Sequence, residues 1–143
     1  MALKQISPVL LSVDVAGKAI DAAVARAQEI GVPYTVTVVD GAGLLVLARR
    51  MDGAAIASID TSLAKARTAV LFGAATADLA GAAANGAPLM TIETSTTVPL
   101  AFVAGGVPIT DAAGVVIGAV GAGGGTPAQD HDVAVAGVAA VGS

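Results

Sequence analysis

Residues 36–68, VTVVDGAGLLVLARRMDGAAIASIDTSLAKART, carry a strand pair, a charged lip and a helix in one run. The runs 34–39 (YTVTVV) and 44–48 (LLVLA) are β-branched or apolar, and Asp40-Gly41-Ala42-Gly43 joins them with glycines able to take positive φ. The pattern predicts a hairpin. Its second strand leads into Arg49-Arg50-Met51-Asp52-Gly53. Ser58 then opens a helix that runs to Phe72, with Asp60 in the first turn, where a carboxylate suits the positive end of the helix dipole. A cationic rim therefore sits beside a helix start.

On that helix Ile59, Leu63, Ala66 and Val70 form the expected core stripe, while Thr61, Lys65 and Thr68 share another face. A solvated polar surface is the plain expectation for the second face. A pocket role for Lys65 is the sharper one, because the Arg49–Asp52 lip is close enough in sequence to fold over it.

Upstream, small apolar residues from Ala16 to Ile30 recur at helical spacing after Ser12, a suitable N-cap, and before Gly31 and Pro33, which stop the helix. Downstream, Thr76 caps a short helix to about Ala84, closed by Asn85-Gly86. The polar stretch 91–97 contains Glu93, the only charge between Asp78 and Asp111. Apolar runs at 98–104, 107–110 and 115–120 are punctuated by glycines and predict a meander of antiparallel strands, with Pro108 at an edge. Gly121 to Gly125 then lead to Thr126-Pro127-Ala128-Gln129, a capping box with proline at the first helical position, which opens a final helix.

The length, 143 residues, predicts one domain spanning the chain. Hydrophobic residues make up 55% and aromatics 2%, so the core must be packed from Ala, Val, Ile and Leu. A mean hydropathy of +0.83 leaves more apolar surface than a small monomer hides, which predicts a homo-oligomer. The net charge of −4 argues against nucleic acid. There is no cysteine, which removes disulfides, thiolate catalysis and thiolate-ligated metal. The first residues lack the apolar run of a signal peptide, and the uncharged stretch 112–129 holds six glycines, so no membrane span and a cytoplasmic location are expected.

Candidate chemistry is sparse. A strand, a glycine-rich turn and a helix start could hold phosphate, but Asp130 and Asp132 place negative charge where the anion would sit, which disfavours a nucleotide. His131, the only histidine, lies between those aspartates and is a candidate axial ligand or acid/base group, as well as a plain exposed residue. One histidine excludes a multi-histidine metal site within the chain, and no Ser/His/Asp order or carboxylate pair stands out.

Three separated blocks, VVDGAGLLVLARRMDGAAIASIDTSLAKARTA, GGVPITDAAGVVIGAVGAGGG and QDHDVAVAG, together resemble the GlcG/HbpS family, the heme-binding or heme-degrading domain also found at the C-terminus of PduO. The resemblance implies an α/β (α+β), profilin-like fold with an antiparallel five-stranded sheet flanked by helices, assembled into dimers or larger homo-oligomers. It also implies heme as a ligand.

Three functions follow as expectations. The first is an oligomeric small-molecule-binding protein in which Arg49, Arg50, Met51, Asp52 and Lys65 line the pocket and cations pair ligand carboxylates, heme propionates among them. His131 is its candidate heme contact. The second is a metal-independent enzyme acting on a small carboxylate-bearing catabolite, with Arg49 anchoring and Lys65, Glu93 or His131 moving a proton. The third is a ligand-free scaffolding oligomer.

Overall fold

The computed structural model describes residues 11–142. The reading of the first ten residues as no signal peptide lies outside them. Helix α1, Val13–Ile30, begins on Ser12, whose hydroxyl accepts the Val15 N–H at 3.1 Å. It ends at Gly31, where φ of 80° is free of the Cβ clash other residues would meet. Its buried stripe is Ala16, Ala19, Ile20, Ala23 and Ala27.

Strands β1 (Thr35–Asp40) and β2 (Leu45–Arg50) form the predicted hairpin, and β3 (Gly106–Thr110) and β4 (Val116–Gly123) form a second. Both close on the same device. The Asp40 carboxylate accepts the Ala42 and Leu44 N–H groups at 2.9 and 3.1 Å, and Asp111 accepts those of Ala113 and Val115 at 2.9 Å. An aspartate that satisfies its own turn, followed by a glycine in the left-handed region, specifies each reversal.

The two hairpins join through β1 and β4 into an antiparallel sheet of order β2-β1-β4-β3. Helices α1 and α4 (Pro127–Ala139) cover one face, and α2 (Ser58–Phe72) covers the other. The short α3 spans Thr76–Leu79. Among the described residues the sheet has four strands, not the five expected. Residues 98–104 account for the difference, because they run as a strap along α2 instead of pairing in the sheet. Pro99 offers no N–H to a ladder, Thr68 Oγ1 on α2 accepts the Ala101 N–H at 2.9 Å, and Phe102 meets Phe72 edge to face at 5.5 Å.

The buried side of α2 also corrects the expected stripe. Ser58, Ser62, Lys65, Ala66, Thr68 and Ala69 are buried, whereas Ile59 is 42% exposed. The reason lies under the helix. Gly121 pairs with Thr37 on one side and Gly106 on the other, making a row without side chains across two of the three positions. A Cβ at Gly121 would strike the Ser62 carbonyl and lie 2.8 Å from the Ala66 nitrogen, and one at Gly106 would strike the Lys65 carbonyl. Only small side chains fit directly over that row, and the one long buried side chain, Lys65, runs out past Gly105. The buried hydroxyls are satisfied in pairs, Thr35 with Ser58 at 2.7 Å and Thr37 with Ser62 at 2.8 Å.

Gly121→Ala should therefore lower stability by about 3 kcal/mol in urea unfolding, since backbone cannot yield as a side-chain tip can. Gly17→Ala, in α1 with nothing within 4 Å of the new methyl, should raise it by about 0.5–1 kcal/mol.

Candidate functional site

Lys65 leaves the middle of α2 and reaches round the end of the sheet to α4. Its Nζ donates to Asp130 Oδ2 at 2.6 Å and to the Ala122 carbonyl at 3.2 Å. Both side chains are nearly out of water, at 6% and 5% exposure. The stem passes over Gly105, where a Cβ would come within 2.9 Å of Lys65 Cδ and 2.7 Å of the Ala122 oxygen. The glycine therefore makes the passage. Asp130 is fixed from the other side by the capping box, in which Thr126 Oγ1 accepts the Gln129 N–H and Gln129 Oε1 accepts the Thr126 N–H. Its second oxygen accepts the Gly125 N–H at 2.9 Å.

The hydroxyl of Tyr34 belongs to the same cluster. Tyr34 is fully buried, and its oxygen lies directly under Gly125, whose missing side chain leaves it room. It stands near the Asp130 carboxylate without a hydrogen bond of ordinary geometry. Burial first, and then the adjacent Asp130 carboxylate, hold the phenol well above its ordinary range.

An open recess of about 310 Å³ lies over this cluster. Ser58, Thr61 and Lys65 of α2 form one wall, Ala101 and Val103 of the strap a second, and Gly123 to Gly125 with Asp130 the floor. Its size falls at the lower end of small-molecule sites. It combines small apolar walls, two hydroxyls and one buried ion pair, a set suited to orienting a ligand by a few polar contacts.

The structure separates the predicted residues. Arg49 lies on the α1 side of the sheet, its Nη1 on Asp21 Oδ1 at 2.8 Å, while Lys65 belongs to the α2 layer. Arg50, opposite Thr35, points to the α2 side and is exposed. Met51 continues the ladder, with its N–H on the Tyr34 carbonyl at 2.9 Å and its sulfur accepting the Tyr34 N–H at 3.3 Å. Asp52 is exposed in the following turn, and Glu93 is exposed in a 3-10 turn over Ile92–Ser95. His131 is half-buried, with a buried Nδ1 that has no hydrogen-bond partner among the described residues. Its neighbours are already engaged, Asp130 by Lys65 and Asp132 by Arg26 at 2.6 Å. Of the seven, Lys65 alone borders the recess.

Asp130 and Tyr34 were not singled out as site residues from sequence. The lysine that pairs with Asp130 lies 65 residues away in sequence, and the Tyr34 hydroxyl meets this cluster from the far end of the chain, so no local spacing carries the signal. The lone tyrosine ahead of a strand and the glycine run before α4 were the available cues. Among the described residues no cluster of three or more His, Asp or Glu could hold a metal, and no helix is long and apolar enough to cross a membrane.

The family model described as "Haem degrading protein HbpS-like" matches residues 11–139. An uncharacterised 15.0 kDa protein from the dhaT-dhaS intergenic region of Citrobacter freundii is 38% identical over 128 residues, covering 90% of this chain and 88% of its own length. The corrinoid adenosyltransferase PduO of Salmonella typhimurium is 34% identical over 96% of this chain, which spans only 41% of that longer protein. A solved complex of PduOC with heme superposes at a TM-score of 0.85 with 34% identity, covering 92% of this chain and 94% of that one.

Lys65→Ala should cost about 3–5 kcal/mol, because Asp130 stays buried without its cation, and Lys65→Met combined with Asp130→Leu should recover most of the loss in urea unfolding. Tyr34 is the only tyrosine and there is no tryptophan, so tyrosinate absorbance reports this one phenol. It should stay un-ionised in the folded protein above the ordinary phenol pKa of about 10. The unfolded chain loses that proton and the folded one keeps it, so stability falls as pH rises past that point, and Tyr34→Phe should remove the fall.

Proposed function

This chain belongs to the HbpS-like family of heme-degrading proteins, and from that premise we propose that it is a small-molecule-binding protein whose ligand enters the recess over Lys65 and Asp130. The observation that carries the reading is a buried ion pair opening onto a recess instead of onto packed core. Charges removed from water need compensation, and a pair kept at the wall of a concavity is positioned to meet a polar group of a ligand. The Gly123–Gly125 floor adds close backbone approach.

Heme is the ligand to test first, because a relative has been solved with it. Among the described residues the recess wall carries no histidine or methionine, and Lys65 is already committed to Asp130, so these residues of one chain do not supply an iron ligand there. Heme held in this recess would be held by face and edge contacts. His131 and the exposed Arg50 could contribute only by completing a site outside it, for which a second copy of the chain in a homo-oligomer is part of the proposal. The alternative acid/base roles for Lys65, Glu93 or His131 find less support, since Glu93 and His131 do not line this recess and Lys65 is engaged by Asp130.

Hemin titration should give a saturable, shifted Soret band that His131→Ala leaves in place. Thr61→Phe, an exposed position on the recess wall, should abolish the shift without unfolding the protein. Unchanged hemin binding in that variant would move the ligand elsewhere.

A further inference from the structure

A second recess, of about 410 Å³, lies at the other end of α2, between the β1–β2 turn and the segment 95–98. Leu44, Leu71 and Val98 give it apolar walls, Ser95 and Thr97 stand at its polar rim, and Arg67 is its one charged residue. The guanidinium is held side-on. Its Nε donates to the Gly43 carbonyl at 3.0 Å, which leaves the two Nη groups without a carboxylate or carbonyl partner among the described residues. Arg67 is half-buried, unlike the exposed Arg50, and unlike Arg26 and Arg49 it makes no ion pair among the described residues, although Asp60, two turns earlier on α2, shares an adjoining recess with it.

The turn that forms the opposite wall cannot act as an anion nest. The Ala42 and Leu44 N–H groups are taken by the Asp40 carboxylate, and the Gly43 N–H by the Asp40 carbonyl at 2.9 Å. One fork of donors on a chain of net charge −4 matches a single negative charge better than a phosphate dianion. The geometry points to a second ligand site here, distinct from the recess over Lys65, that takes a monocarboxylate with an apolar tail: the carboxylate on the Arg67 fork and the tail against Leu44, Leu71 and Val98. The site does not depend on the heme reading, because the two recesses share no lining residue.

Hexanoate and its neutral counterpart hexanamide, titrated separately and followed by amide NMR shifts, test it. Hexanoate should bind saturably with shifts centred on residues 42–44 and 95–98, and hexanamide should bind about ten-fold or more weakly. Arg67→Gln should lose hexanoate binding by a similar factor. Arg67→Lys, which keeps the charge without the fork, should fall between the two with the same melting curve as the parent protein. Equal binding of acid and amide, hexanoate shifts confined to Gly123–Gly125, or no saturable shift at all would each overturn the assignment.

Discussion

The close approach of α2 to the sheet is the constraint on which the rest of the molecule depends. Gly106 and Gly121 sit side by side in adjacent strands, and the helix backbone occupies the space their side chains would fill. A helix held at that separation buries small residues directly over the glycine row, so apart from Lys65 its inner face is serine, threonine and alanine, and the Ser58 and Ser62 hydroxyls pair with those of β1. Dispersion contacts are gained over a dense backbone surface instead of through large side chains. That suits a chain in which aromatics are 2% of residues and cannot supply bulk.

The same approach sets up the electrostatics. Lys65 starts deep in the layer between α2 and the sheet, passes through the gap left by Gly105 and ends on Asp130 at the first turn of α4. One ion pair thus ties the helices of opposite faces around the sheet end. Such a pair is a weak source of net stability compared with well-packed apolar groups, but losing either partner leaves an uncompensated buried charge. Its position therefore enforces the arrangement of the glycine floor and the α4 start more than it adds to the folding free energy.

The strap over residues 98–104 gives the outer side of α2 its concavities. Pinned to Thr68 and to Phe72, it walls the recess over Lys65 with Ala101 and Val103, and its leading residue Val98 walls the recess beside Arg67. A fifth strand in the sheet would have left that side of the helix bare. The family relation and the solved heme complex of the relative PduOC direct attention to ligand binding, and both recesses proposed as ligand sites lie along this helix.

Local chemistry made much of the fold legible. Ser12, Gly31, the aspartate-glycine turns and the Thr126–Gln129 capping box each satisfy backbone groups within a few residues, so helix ends and hairpins could be read in sequence, as could the family blocks. The four-stranded sheet, the polar inner face of α2 and the Lys65–Asp130 pair could not. Apolar periodicity assumes that a helix buries its largest side chains, and that assumption fails where the opposing surface is glycine backbone. Likewise, adjacent arginines on a strand point to opposite faces, which sent Arg49 to α1 and away from Lys65. Sequence determined the elements and their ends because those interactions are short-range, whereas tertiary packing alone decided which faces met and which charges lost their water.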